Sequence, residues 1–293
     1  MAASAGTGSA VAQVAGQTAI DQRVREIVPQ RPLEPAPSAI GRSPFGEILL
    51  LREREFFTAA VTGGANYTSN AFLSDRDRQN DVFVSLDASL QAATVIAERF
   101  EVFAEFGAFA LRYAENSELN VNGVRGRVGV STTVEGFNLG FAYAPSIAWD
   151  DDFDRRFVTL HPLTLSINRP LAVADGVLLV PGLSGGYTFA DPGDFAAASA
   201  TASVSAIWLP SADFSLSLTP SVSHRHYDDY FERITGRTRK DWTYGVFLAA
   251  TYIPFPEALL QLGVSGSINR STVDPLDHKV FNAGPTARFS MRF

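Results

Sequence analysis

The sequence predicts an all-β protein: a transmembrane, antiparallel, up-and-down β-barrel of about twelve strands, with a Pro-rich extended N-terminal segment. Three observations predict it. From residue 55 onward, apolar and polar residues alternate in one segment after another. Successive side chains of a strand point to opposite faces, so each segment has a greasy face and a polar one. The connections between segments are short and long by turns. Finally, the chain stops on ARFSMRF, with Phe293, Met291, Phe289 and Ala287 on one parity and Arg292, Ser290 and Arg288 on the other.

Composition narrows the choice. The chain has 293 residues, 46% of them hydrophobic, and no run approaches the length of a spanning helix, about 18 apolar residues. Strands that alternate cross a bilayer at low bulk hydropathy, and the mean hydropathy here is +0.04. A net charge of -7 argues against nucleic acid as a partner. Without cysteine there are no disulfides and no thiolate metal sites. Plentiful Gly and Phe in short alternating runs suit strands and turns.

Before the alternation begins, the chain reads differently. Residues 1–12 are small and weakly polar, and Ala10-Val11-Ala12 resembles a small-x-small cleavage site. We read them as a signal-peptide remnant or a disordered tail. Residues 13–54 form a Pro-rich periplasmic segment; five prolines in 25–44 forbid regular helix or sheet. Ile48 to Leu51 is a short apolar run among charges, suited to a brief helix or strand against the barrel. Residues 55–293 are the barrel itself.

Twelve segments make up that barrel: 55–68, 82–95, 99–113, 120–134, 137–149, 156–170, 177–189, 195–208, 213–227, 241–253, 259–270 and 280–293. Each is long enough to cross when tilted, which takes about 9–11 residues. The fifth sets Phe137, Leu139, Phe141, Tyr143, Ile147 and Trp149 against Asn138, Gly140, Ala142 and Ser146. The eighth is mostly Ala and ends in Trp208. The tenth has Trp242, Tyr244, Val246, Leu248, Ala250 and Tyr252 on one face, aromatic at both ends. The eleventh sets Leu260, Leu262, Val264 and Ile268 against Gln261, Ser265, Ser267 and Asn269. Trp149, Trp208, Trp242, Tyr244 and Tyr252 are therefore candidates for a membrane girdle. Alternation alone also fits a soluble barrel or sandwich around a greasy core. The sorted connections, the terminal aromatics and the final Phe favour lipid.

Short connections follow the even segments, at Glu98, Glu135, Asp175, Pro210 and Pro254. Most of those after odd segments are longer and charged, such as AFLSDRDRQND from Ala71 and DDYFERITGRTRK from Asp228. With ARFSMRF, this pattern resembles bacterial outer-membrane β-barrel proteins of the porin-like superfamily. The stretch from Gly63 to Leu90 also resembles polysaccharide-associated porins. The resemblance implies an outer-membrane location, short turns and both termini in the periplasm, and long loops outside. It implies that Phe289, Met291 and Phe293 are an assembly signal read by the barrel-assembly machinery. It also implies outer-membrane lipid and lipopolysaccharide as surroundings.

The parity opposite the lipid face lines the lumen. Its charged members are Asp87, Glu101, Glu105, Arg125, Arg127, Arg225, Arg288 and Arg292. Acids fall on segments two and three and bases on four, nine and twelve. They could form separate arcs with a field across the lumen, or pair and seal it. Inward Gly, Ala and Ser (Gly140, Ala142, Ser199, Ser203, Gly263, Ser265) leave room for an open or partly plugged bore.

HRHYDD from His224 brings two imidazoles on one face close to two carboxylates, the makings of a metal or acid–base site. No Ser, His and acid fall into a hydrolase motif, so the expected role is a solvated loop base or contact with lipopolysaccharide phosphate. Arg76, Arg78, Arg155, Arg233, Arg237, Arg239 and Lys240 could hold lipopolysaccharide phosphates from the loops, or be ordinary solvated loop charge. The sequence thus points to a non-enzymatic channel for small polar solutes, or to an outer-membrane component of envelope or polysaccharide export. It calls for no metal and no cofactor. The alternative is a non-conducting structural or docking barrel whose residues 13–54 bind a periplasmic protein. An outer-membrane hydrolase is the third reading.

Overall fold

The computed structural model describes residues 55–293 apart from 76–77, 98 and 233–235. Segments 1–12 and 13–54, with Glu98, Arg76 and Arg233, lie outside the described residues. Fourteen strands form one sheet: β1 (Glu55–Thr68), β2 (Asp81–Ile96), β3 (Phe100–Tyr113), β4 (Val121–Val134), β5 (Phe137–Tyr143), β6 (Ser146–Trp149), β7 (Arg156–Asn168), β8 (Leu171–Ala174), β9 (Val177–Asp191), β10 (Ala197–Trp208), β11 (Phe214–Glu232), β12 (Arg237–Phe255), β13 (Ala258–Ser271) and β14 (His278–Arg292). Neighbours in sequence pair antiparallel, and β1 pairs with β14, so the sheet closes on itself.

Two of the twelve barrel strands are interrupted, where the sequence reading drew them unbroken. β5 and β6 both pair with β4 and with β7, and are one strand broken at Ala144-Pro145. Proline has no N–H for the ladder. The break is mended locally: the Gly126 N–H donates to the Pro145 carbonyl at 2.8 Å, and the Ala144 N–H donates to that of Pro162 at 3.0 Å. β7 and β8 are likewise one strand, broken at Arg169-Pro170, and both pair with β9.

The two ends of the barrel differ. At one end the turns are tight. Val134 pairs directly with Phe137 across Glu135 and Gly136, both with positive φ, at 51° and 80°. That two-residue turn has the twist a hairpin needs, and glycine accepts it without strain. At the other end lie the longer loops, with three 3-10 turns: Ser117–Leu119, Gly193–Phe195 and Asp274–Leu276. The connection drawn as a loop over 228–240 is largely a paired hairpin, since β11 runs to Glu232 and β12 starts at Arg237.

Faces follow parity as the sequence pattern predicts. Phe57, Val61, Leu86, Leu90, Phe106, Leu165, Leu183, Val246, Leu248, Leu262 and Phe289 are all exposed on the outside. A closed strand barrel leaves no unpaired edge, which is what allows such an exterior to sit in hydrocarbon. Among the described residues, the hydrophobic core cluster lies at the loop end. There Phe83, Leu111, Tyr113, Leu119, Val121, Ala148, Phe157, Val158 and Leu160 cluster around Ala71 of the first loop. Asn70 folds that loop inward: its amide donates to the carbonyls of Ser74 (2.8 Å) and Lys279 (3.0 Å) and its side-chain oxygen accepts the Ser74 N–H (3.1 Å). Asp81 ties in the second loop, accepting from the backbone and side chain of Asn116 at 2.9 and 2.8 Å.

The closing seam ends on the last residue. The Phe57 N–H donates to the Phe293 carbonyl at 3.1 Å, the Phe293 N–H donates back at 3.0 Å, and the two rings stack 6.3 Å apart. Deleting Phe293 should therefore lower the yield of folded, heat-modifiable barrel on gels. Phe293→Ala, which keeps both backbone bonds, should fall between deletion and wild type.

Candidate functional site: the barrel lumen

The lumen wall is set by alternation. On β2, β3 and β4 the inward positions include Asp87, Glu101, Phe103, Glu105, Phe109, Arg125 and Arg127. Neighbouring strands bring these together. One Arg125 Nη2 reaches Asp87 Oδ1 at 2.9 Å and Glu105 Oε1 at 3.0 Å, with side chains only 14%, 16% and 10% exposed. The Arg127 guanidinium lies 4.9 Å from the centre of the Phe103 ring. On this arc, acids of β2 and β3 thus meet the base of β4 side by side on the wall instead of facing it across the bore. The register explains it: Arg127 is directly opposite Glu105, and Arg125 is two residue pairs further along the same ladder, on the same face.

Inward aromatics fit over inward glycines. A Cβ on Gly123 would lie 2.2 Å from the Phe109 ring, and one on Gly129 would lie 2.5 Å from the Phe103 ring. Phe247 lies over Gly263 in the same manner, at 3.2 Å. Glycine is required at the first two positions because ring and backbone approach so closely. The sequence reading missed these aromatics, since Phe on the polar parity means nothing until the register supplies its glycine.

A second polar arc lies at the loop end on β11–β14. Arg225 donates to the Tyr227 hydroxyl at 3.3 Å. Arg239 sits 4.2 Å from the Tyr227 ring centre and donates to Asp241 at 2.7 Å. Thr243 donates to Asn269 Oδ1 at 2.7 Å, and His278 is paired with Asn269. The sequence pattern puts Arg239 in an outer loop; it is buried instead, because its hairpin is a strand and its parity points inward. Arg239 and Asp241, two apart on a strand, carried a same-face signal in the sequence.

The other candidates are placed as follows. Glu101 is inward opposite Ser131, Arg288 is inward opposite Thr62, and Arg292 is inward opposite Thr58. Trp242 and Tyr244 lie on the outside towards the loop end, and Trp208 and Tyr252 on the outside towards the turn end, all about half exposed. Trp149 is at the loop end of β6, with its ring 6.1 Å from Phe153. Phe289, Met291 and Phe293 are outward and exposed. His224 and His226 share the outer face, where the His224 ring lies 4.6 Å from Trp242. Neither imidazole enters the lumen. Among the described residues, no three His, Asp or Glu groups come together as a metal site.

No known family profile matches the chain, and no curated protein matches it. Solved structures do. An outer-membrane channel from Pseudomonas putida F1 superimposes with a TM-score of 0.57 at 10% identity, over 82% of this chain and 97% of that one. This chain has the outer-membrane β-barrel fold. The translocator domain of the autotransporter NalP from Neisseria meningitidis gives 0.49 at 10% identity, over 96% of this chain and 98% of that one. An anion-selective porin from Comamonas acidovorans gives 0.43 at 6% identity, over 81% and 99%.

The cluster on β2–β4 makes a stability prediction for the barrel. Arg125→Met leaves two carboxylates close together without their shared cation. Unfolding in urea should show a loss of roughly 2–4 kcal/mol. Adding Asp87→Asn and Glu105→Gln should restore most of it, because the repulsion goes with the charges. A triple variant as unstable as the single one would contradict the pairing.

Proposed function

We propose that the chain is a porin-like channel of the outer membrane that passes small polar solutes. The observation that carries this reading is the lumen wall. It is lined by small polar side chains, including Ser85, Ser89, Ser199, Ser203, Ser265 and Ser267, and by the Asp87–Arg125–Glu105 cluster. Such a wall suits water and polar solutes, not a packed core. The likeness of fold to a solved outer-membrane channel supports the same reading. In this reading the tight turns and both termini face the periplasm and the loops face outward. Phe289, Met291 and Phe293 present the assembly signal. The apolar cluster behind the first loop narrows the outer mouth on the β2–β7 side, and the buried Tyr227, Arg239 and Asp241 narrow it on the β11–β14 side.

The reading is non-enzymatic. His224 and His226, the imidazoles that could have served a hydrolase, face outward beside Trp242, so they are poorly placed to meet a solute in the lumen.

Reconstituted into planar bilayers, the full chain should give a steady ohmic conductance. Arg125→Met removes a lumenal cation beside two carboxylates, so the reversal potential in a KCl gradient should move towards cation selectivity. Asp87→Asn with Glu105→Gln should move it the other way. A chain that inserts but stays silent would overturn the channel reading and favour a docking barrel.

A further inference from the structure

Two arginines share the lumen wall at the loop end of β11 and β12, and they are placed differently. Arg239 is committed to Asp241: its Nε and Nη2 lie 3.1 and 2.7 Å from Asp241 Oδ2, and its side chain is only 11% exposed. Arg225 also points inward, but it is exposed to the bore. Asp241 stands directly opposite Arg225 in the ladder, so the carboxylate nearest in register is already held by Arg239. Arg225 has a phenol instead. Its Nη1 donates to the Tyr227 hydroxyl at 3.3 Å, and its guanidinium lies 5.9 Å from that ring centre. Among the described residues, no carboxylate forms an ion pair with Arg225.

The wall around this guanidinium is hydroxylated. Ser199 on β10 is directly opposite Arg225. Ser223, the next inward residue of β11, lies between Thr201 on β10 and Thr243 on β12. The Thr243 hydroxyl donates to Asn269. The hydroxyls of Ser199, Thr201 and Ser223 make no hydrogen bond among the described residues. Towards the loops, the next inward residues are Tyr227 and Arg239, both buried. Arg225 therefore lies immediately inside the narrowed mouth.

This combination selects a class of solute. A guanidinium with open N–H groups presents a planar fork that a carboxylate meets with both oxygens. One uncompensated positive charge matches one carboxylate. A phosphate monoester carries a charge of about -1.5 to -2 and calls for a second cation, which Arg239 does not supply while it holds Asp241. Serine and threonine hydroxyls both donate and accept, so they suit hydroxyl groups on the rest of the solute.

We infer that Arg225, with Ser199, Thr201 and Ser223, forms a binding site just inside the outer mouth for a small hydroxylated carboxylate. This rests on the channel reading above and names the solute class that the channel favours. The carboxylate lies on the Arg225 fork, and the hydroxyls of the solute exchange water for those of the wall.

The test uses gluconate as probe and the detergent-purified full chain. Ligand-observed saturation-transfer NMR reads binding, and heat-modifiable gel mobility reports folding of each variant. Gluconate should bind the wild type, and Arg225→Gln should weaken it about tenfold or more. Arg225→Lys, which keeps the charge and loses the fork, should fall between. Arg270→Gln, which removes an outward cation at the same end, should bind as wild type. Glucose, which lacks the carboxylate, should bind the wild type no better than it binds Arg225→Gln. A folded Arg225→Gln variant with wild-type affinity, or a wild type that binds no gluconate, would overturn the site. Displacement of gluconate by an equal concentration of inorganic phosphate would overturn the carboxylate assignment and leave a general anion site. In planar bilayers, gluconate should interrupt the wild-type current and leave that of Arg225→Gln steady. A conducting chain that binds no gluconate refutes this inference alone, and a silent chain that binds gluconate through Arg225 refutes the channel alone.

Discussion

The structure depends first on closure. A strand in hydrocarbon has no water to satisfy its backbone, so every N–H and C=O needs a neighbouring strand. Only a sheet joined end to end meets that demand, and here β1 and β14 make the join. The seam is close-packed. A Cβ on Gly284 would lie 2.2 Å from the Ala65 carbonyl oxygen, so glycine at this inward position of β14 lets the two strands meet. The final Phe extends the join by its own pair of backbone hydrogen bonds with Phe57. The prolines that break β5/β6 and β7/β8 are tolerated because nearby carbonyls and N–H groups take up the slack.

Closure also divides the side chains into two populations. The outer set can be apolar without any shape complementarity, because lipid conforms to it. The inner set must reconcile charge and volume. It does so by register: Arg125 is shared between two acids, Arg127 lies on Phe103, and glycines lie beneath rings. The apolar cluster at the loop end is the place where the inside behaves as an ordinary protein core. It packs the first loop against β2–β7 and leaves the β11–β14 side polar.

Much of this was legible in the sequence. Period-two alternation and the sorting of connections by length locate twelve strands within a few residues of where they lie, and the outward residues of β12 and β13 were read correctly from parity. Parity also says which charges point inward. It cannot say which of them meet, because that depends on register between strands. Thus Arg125 with Asp87 and Glu105 came from the structure. The reach of the β11–β12 hairpin was missed because DDYFERITGRTRK is charged and reads as loop, yet its ends pair as strand. His224 and His226 drew notice as chemistry-bearing residues, whereas their parity puts them on the outer wall beside Trp242.

The central claim is that the apolar parity meets lipid and the polar parity meets water. The chain has no cysteine, so single cysteines can be placed along β13 without background. In bilayers, cysteines at Leu262, Val264 and Ile268 should be labelled by lipid-soluble reagents and ignored by a charged thiol reagent. Cysteines at Gly263, Ser265 and Ser267 should show the opposite. A reversed pattern would mean a greasy core within a water-soluble shell, and the absence of any alternation would mean that β13 is not a barrel strand.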